Sequence, residues 1–279
     1  MRAITHMIEG IMFGLFRKGS LLDAELTQWQ FDCFEWLLQN TGGIEAFKKR
    51  RLVLPTPKFF PHDGSSGHAF AEMIFHQVKV YADMADWPCT LQCQEDDPNT
   101  MVSPQAFVQG APQSPSGTFR ALKEGGALIT YNPRQLHNPM SMVATFAHEL
   151  AHYRTAGFPE PPPGGWEVWE PATDLAAVFM GFGVFLANSR FNFSHFNDGQ
   201  TAGWRWQQQG YLSDVEVLHA HAIFSSLLGV DQRESLPHLK SALQGIFKRV
   251  CKDVAGQQTT LQRLKNVAAV VDGGLKRSA

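Results

Sequence analysis

Apolar residues recur every three to four positions from Leu21 to Asn40, where Leu22, Leu26, Trp29, Cys33 and Leu37 share one face and Thr41, Gly42 and Gly43 supply a stop. The stripe predicts a core-facing helix. Phe70, Ile74, Val78 and Tyr81 predict a second one, ended by Trp87 and Pro88. Between them, Arg51 to Pro61 carries three prolines around short apolar runs, the pattern of a strand or extended segment. Glu95 to Pro115 is polar, lacks a period and reads as an exposed loop. Gly117–Arg120 and Ala127–Tyr131 read as short strands joined by a hairpin turn through Glu124, Gly125 and Gly126.

Asn138 followed by Pro139 is a helix start, because the Asn side chain can cap free amides and proline at the first helical position lacks only a donor that is not needed. The proline-rich connector Phe158 to Gly165 follows, and then an apolar helix from about Pro171 to Asn188. Phe191 to Tyr211 reads as an aromatic, glycine-containing loop. Ser213 and Glu216 have capping-box spacing, Leu239, Leu243, Ile246 and Val250 mark a further helix, and a last one runs from about Thr260 to Val271. Met1 to Lys18 has the spacing of an amphipathic helix docked on the core, without the cleavage site of a signal peptide.

Composition narrows the function classes. The chain has 279 residues, 44% of them hydrophobic and 18% charged, which suits one large domain or two small ones. A net charge of -2 excludes the concentrated Lys/Arg excess that nucleic-acid binding needs, and the Lys48–Arg51 run is short enough to be simply solvated. The longest charge-free apolar stretch, Leu175 to Ala187, is shorter than the roughly 20 residues that cross a bilayer, so no transmembrane segment is expected. Cys33, Cys89, Cys93 and Cys251 are too scattered for a disulfide framework, which points to reduced thiols and a cytoplasmic setting. Cys89 and Cys93 fall on one face of a strand-like run and read as packing residues.

The chemistry is concentrated in 148–174. His148-Glu149-Leu150-Ala151-His152 places two imidazoles one helical turn apart on one face, so that both can reach a single ion. Glu149, beside the first imidazole, is placed to act as the general base of a metal-assisted hydrolysis. Glu170 is the best third ligand, because it opens the next helix after a connector long enough to reverse the chain. Glu160 and Glu167 are the fallbacks. Asp174, one turn beyond Glu170, can accept the other ring N–H of a ligand histidine. The plain alternative is a solvated or salt-bridged helix face, with Glu170 simply favouring the helix dipole.

His148-Glu149-x-x-His152 with Glu170-x-x-x-Asp174 downstream resembles the signature of the gluzincin metallopeptidases, thermolysin's relatives, over roughly Gly117 to Asn188. That resemblance implies a zinc-dependent peptidase with one Zn2+ per chain, a peptide or protein substrate, Glu170 as third ligand and Asp174 orienting the first histidine. It also implies an α+β, predominantly helical fold whose small mixed sheet packs on the active-site helix and whose edge pairs with an extended peptide, Ala127–Tyr131 being the candidate edge. On this reading 1–188 holds the sheet, the active-site helix and the third-ligand helix, and 189–279 forms a helical region closing the cleft. An oxyanion donor is also needed, and Tyr211, His219 and His221 are the candidates, with His219 equally suited to a buried structural place. Two other functions compete: a zincin-like protein that binds peptides without cutting them, and a metal that only staples the fold.

Overall fold

The computed structural model describes residues 20–95, 100–103, 106–108, 116–194 and 212–269. The first stripe becomes α1 (Ala24–Asn40), started by Asp23, whose side chain accepts from Leu26 N at 2.8 Å. A short α2 (Gly43–Phe47) follows, and the second stripe becomes α3 (Gly67–Tyr81). Arg51 to Pro61 forms no strand. Leu52 and Val53 are buried there outside any helix or strand, and Val53 donates to the carbonyl of Gly181 at 3.1 Å.

Cys89–Cys93 is β1, and the stretch expected to be a loop contains β2 (Thr100–Ser103) paired antiparallel with β3 (Ala106–Val108). The hairpin is β4 (Gly117–Ala121) and β5 (Ala127–Tyr131), its turn made by Gly125 and Gly126 at φ of 91° and 88°, a region that only glycine enters freely. Sheet order is β1-β5-β4, with β1 parallel to β5. Ala127–Tyr131 is therefore the central strand and not the edge; among the described residues the edge nearest the 148–174 region is β4. Local pattern cannot show this, because the parallel partner of β5 lies far back in the chain and is brought alongside by tertiary packing.

Ala127, Ile129 and Tyr131 of β5 point into the core against α4 (Pro139–Thr155). Asn138 caps α4 by accepting from Ser141 N at 3.2 Å. The apolar helix expected over 171–188 is three pieces: α5 (Trp169–Ala177), a wide turn at Val178–Phe182, and α6 (Gly183–Ser194). The break sits at Gly181, φ 106°, where an added Cβ would lie 2.2 Å from the Arg51 carbonyl. The incoming 51–53 segment takes the space a side chain would need. Trp166–Ser189 is long and apolar enough by length and composition to cross a membrane, and its most apolar 18-residue stretch is buried within the protein.

Next come α7 (Asp214–Leu228), opened by the reciprocal Ser213–Glu216 box, a short α8 (Gln232–Ser235), α9 (Ser241–Ala255) and α10 (Gln258–Lys265). The last helix begins and ends earlier than its apolar pattern suggests, because beyond Asn266 the carbonyl of Val267 accepts from Ile44 N at 3.0 Å. One buried cluster runs from Phe31 to Val267 and includes residues on both sides of position 188. The class is α+β and predominantly helical, with a small sheet. Met1–Lys18 lies outside the described residues, as does the 195–211 part of the expected aromatic loop.

Candidate metal centre

Helix α4 carries His148 and His152 on the face that looks toward α5, and α5 carries Glu170 and Asp174 on the face that looks back. The approach is close because Ala147, Ala151, Ala172 and Ala176 are small and wholly or nearly buried. Glu170 Oε2 lies 3.3 Å from His148 Nε2 and 3.4 Å from His152 Nε2. These separations are long for charged hydrogen bonds, whose N···O distance is about 2.7–2.9 Å. They match the roughly 3.3–3.4 Å between neighbouring ligands that each lie about 2.0–2.1 Å from a tetrahedral ion. The three atoms form the one group of this kind among the described residues, and neither Glu160 nor Glu167 belongs to it. The donor set fits a zinc ion.

The outer ring nitrogens are held as well. His148 Nδ1 donates to Asp174 Oδ1 at 2.9 Å, and Asp174 Oδ2 accepts from Leu212 N at 3.2 Å. Asp174 is buried, so its carboxylate joins α4, α5 and the start of the C-terminal helices at one point. His152 Nδ1 lies 2.9 Å from the Trp169 indole nitrogen and 3.2 Å from Thr173 Oγ1. Trp169 and Thr173 are four apart, like Glu170 and Asp174, and the same helical spacing that singled out the acids could have found them.

Charge is concentrated here. Burial pulls the His148 imidazole down, but hydrogen bonds to Asp174 and Glu170 and the charges of Asp174 and Glu149 outweigh it and hold the ring at about 10. Burial acts to raise Glu170, yet the two imidazoles drive its carboxyl well below the usual range. Glu149 moves the other way: burial raises it against the pull of His148 and His152, so it keeps an affinity for a proton that an exposed glutamate lacks.

The centre opens into a cleft of 270 Å³ lined by Gly117, Thr118 and Phe119 of β4 together with His148, Glu149, His152 and Glu170. Sequence reasoning passed over the β4 residues, whose pattern marks only a short strand. Phe119 stacks on His152 and Tyr153 with centroids 6.1 and 5.7 Å away. Tyr153 thus packs against the strand that borders the cleft.

Of the oxyanion candidates, His219 takes the buried structural place and His221 is corrected. His219 is buried, 2.8 Å from Gln30 Oε1 and edge-on to Phe31. His221 is fully buried, 2.8 Å from Ser235 Oγ and stacked on Phe247. Neither lines the cleft, since α7 turns these positions into the apolar core. Tyr211 lies outside the described residues. Comparison of the chain with protein-family models, with curated proteins and with solved structures gives no match.

Proposed function

We propose that the protein is a zinc-dependent metallopeptidase of the gluzincin kind, with His148, His152 and Glu170 holding one zinc ion per chain. The observation that carries this reading is the position of one Glu170 oxygen, 3.3 and 3.4 Å from two imidazole nitrogens in a cleft that also contains Glu149. Bound there, zinc would supply a Lewis acid and a water acidified to near-neutral pKa. Glu149, raised by burial, accepts a proton from water in the cleft and returns it to the leaving amine. Asp174 fixes the His148 ring with its Nδ1 proton directed away from the cleft. The β4 edge, unpaired by any described strand, offers its backbone to an extended peptide, in the manner of a zincin sheet.

A second reading, a zinc-bearing protein that binds peptides without cutting them, is favoured by one observation. Among the described cleft residues, no tyrosine, arginine or further histidine is aimed at the place an oxyanion would occupy. Metal analysis of the purified chain, followed by an untargeted peptide-library digest, separates the two. The peptidase reading predicts about one zinc per chain, cleavage abolished by chelator, and a Glu149→Gln variant that keeps zinc while losing at least about a hundredfold in rate. Zinc without turnover anywhere in the library supports the binding protein, and a metal-free chain under zinc-loading conditions overturns both.

A further inference from the structure

The two imidazoles of the centre are held by different chemistry. His148 turns Nδ1 toward a carboxylate, which accepts, whereas His152 turns Nδ1 toward the indole nitrogen of Trp169 at 2.9 Å. An indole N–H can only donate. That bond therefore needs a bare Nδ1, and a neutral ring then carries its proton on Nε2, the atom facing Glu170. In this tautomer His152 offers no lone pair to an ion. Thr173 imposes the opposite demand. Its hydroxyl already donates to the Trp169 carbonyl at 2.9 Å, so the lone pairs on Oγ1, 3.2 Å from the same Nδ1, are turned to accepting a proton from the ring. With the proton on Nδ1, Nε2 is bare and faces Glu170 and His148.

We infer that Trp169 and Thr173 compete for Nδ1 of His152, Thr173 acting as the positioning residue that favours metal loading and the Trp169 indole opposing it. The inference rests on the zinc reading of this centre. The two competitors lie one turn apart on α5, so a single ring faces both. Trp169 is half-buried and packs on Trp166, with centroids 4.9 Å apart, and Trp166 is 65% exposed. The opposing side chain thus belongs to a surface aromatic pair rather than to the core.

The test uses chelator-stripped full-length protein and zinc alone, with affinity read by competition against a chromophoric chelator and the His152 tautomer read by nitrogen NMR of the ring. Removing the competing donor in Trp169→Phe is expected to tighten zinc binding about three- to tenfold, the worth of one neutral hydrogen bond. Thr173→Val is expected to weaken it about tenfold or more, as loss of an outer partner of a ligand histidine does, while Thr173→Ser, which keeps the hydroxyl, retains wild-type affinity. Before zinc is added, the wild-type ring should carry its proton on Nε2 and the Trp169→Phe ring on Nδ1. A Trp169→Phe variant that binds zinc more weakly than wild type, or a stripped wild type already protonated on Nδ1, overturns the competition. If wild type takes up no zinc, the metal reading fails, and the tautomer comparison between the two proteins still decides this inference.

Discussion

Asp174 Oδ1 accepts the His148 Nδ1 proton at 2.9 Å, and through its other oxygen the same carboxylate holds the backbone of Leu212. One buried acid therefore orients a candidate ligand and fastens the chain that leads into α7. Electrostatics reinforce the geometry, because the carboxylate helps hold the imidazole at about 10 against the effect of burial. A change at Asp174 should register in metal affinity and in fold stability together, unlike a change in a residue that only lines the cleft.

Asp174→Ala should lower zinc affinity by about ten- to a hundredfold, since the imidazole loses the acceptor that sets its orientation. It should also cost about 1–3 kcal/mol of stability, because the buried Leu212 amide loses its acceptor. Asp174→Asn keeps an acceptor and should lose less of both. Chelator competition and denaturant titration on the same samples check the pair, and an affinity loss with unchanged stability would remove Leu212 from the account.

Gly117 is the point where the edge strand β4 touches α4. A Cβ added there would lie 2.5 Å from Thr145 Cγ2, 2.9 Å from the Thr130 carbonyl and 3.2 Å from Glu149 Cγ. Gly117→Ala should therefore push β4 off α4 at a cost of about 1–3 kcal/mol. Peptide turnover should fall while zinc content is kept, because Glu149 and the edge move and the three atoms nearest the added Cβ belong to Thr145, Thr130 and Glu149, none of them a candidate ligand. Metal analysis beside a cleavage assay tests it, and loss of zinc together with activity would place the damage elsewhere.

Burial holds the rings of His219 and His221 neutral in the fold down to about pH 4, whereas an unburied imidazole takes up its proton near 6.5. Above about pH 6.5 neither state is charged, and the full stability is present. As pH falls from 6.5 to 4 the unfolded chain gains protons that the folded chain refuses, and stability drops by up to about 1.4 kcal/mol per pH unit for each ring, roughly 3 kcal/mol each in total. Below about pH 4 this loss levels off. His148 does not contribute to that window, because its raised value gives a stabilisation that is complete below 6.5 and disappears only as pH rises toward about 10 in metal-free protein. Urea titrations of chelator-treated protein between pH 7.5 and 4, compared with a His219→Gln, His221→Gln double variant, isolate the two rings. Equal slopes for the two proteins would show that the rings are not held neutral.

Apolar periodicity located α1, α3 and α9, capping signals located the starts of α4 and α7, and the spacing of His148, Glu149, His152, Glu170 and Asp174 singled out side chains that the structure brings together. Such features are legible in sequence because residues three and four apart share a helical face whatever surrounds the helix. Three other features depend on contacts between segments distant in the chain. Ala127–Tyr131 became a central strand because Cys89–Cys93 pairs along its far side, and the long apolar helix broke at Gly181 because the Arg51–Val53 backbone occupies the space beside it. His219 and His221 went to the core through the packing of one helix on another. Local pattern encodes which face of an element is apolar; which distant partner meets that face is decided when the whole chain buries its surface together.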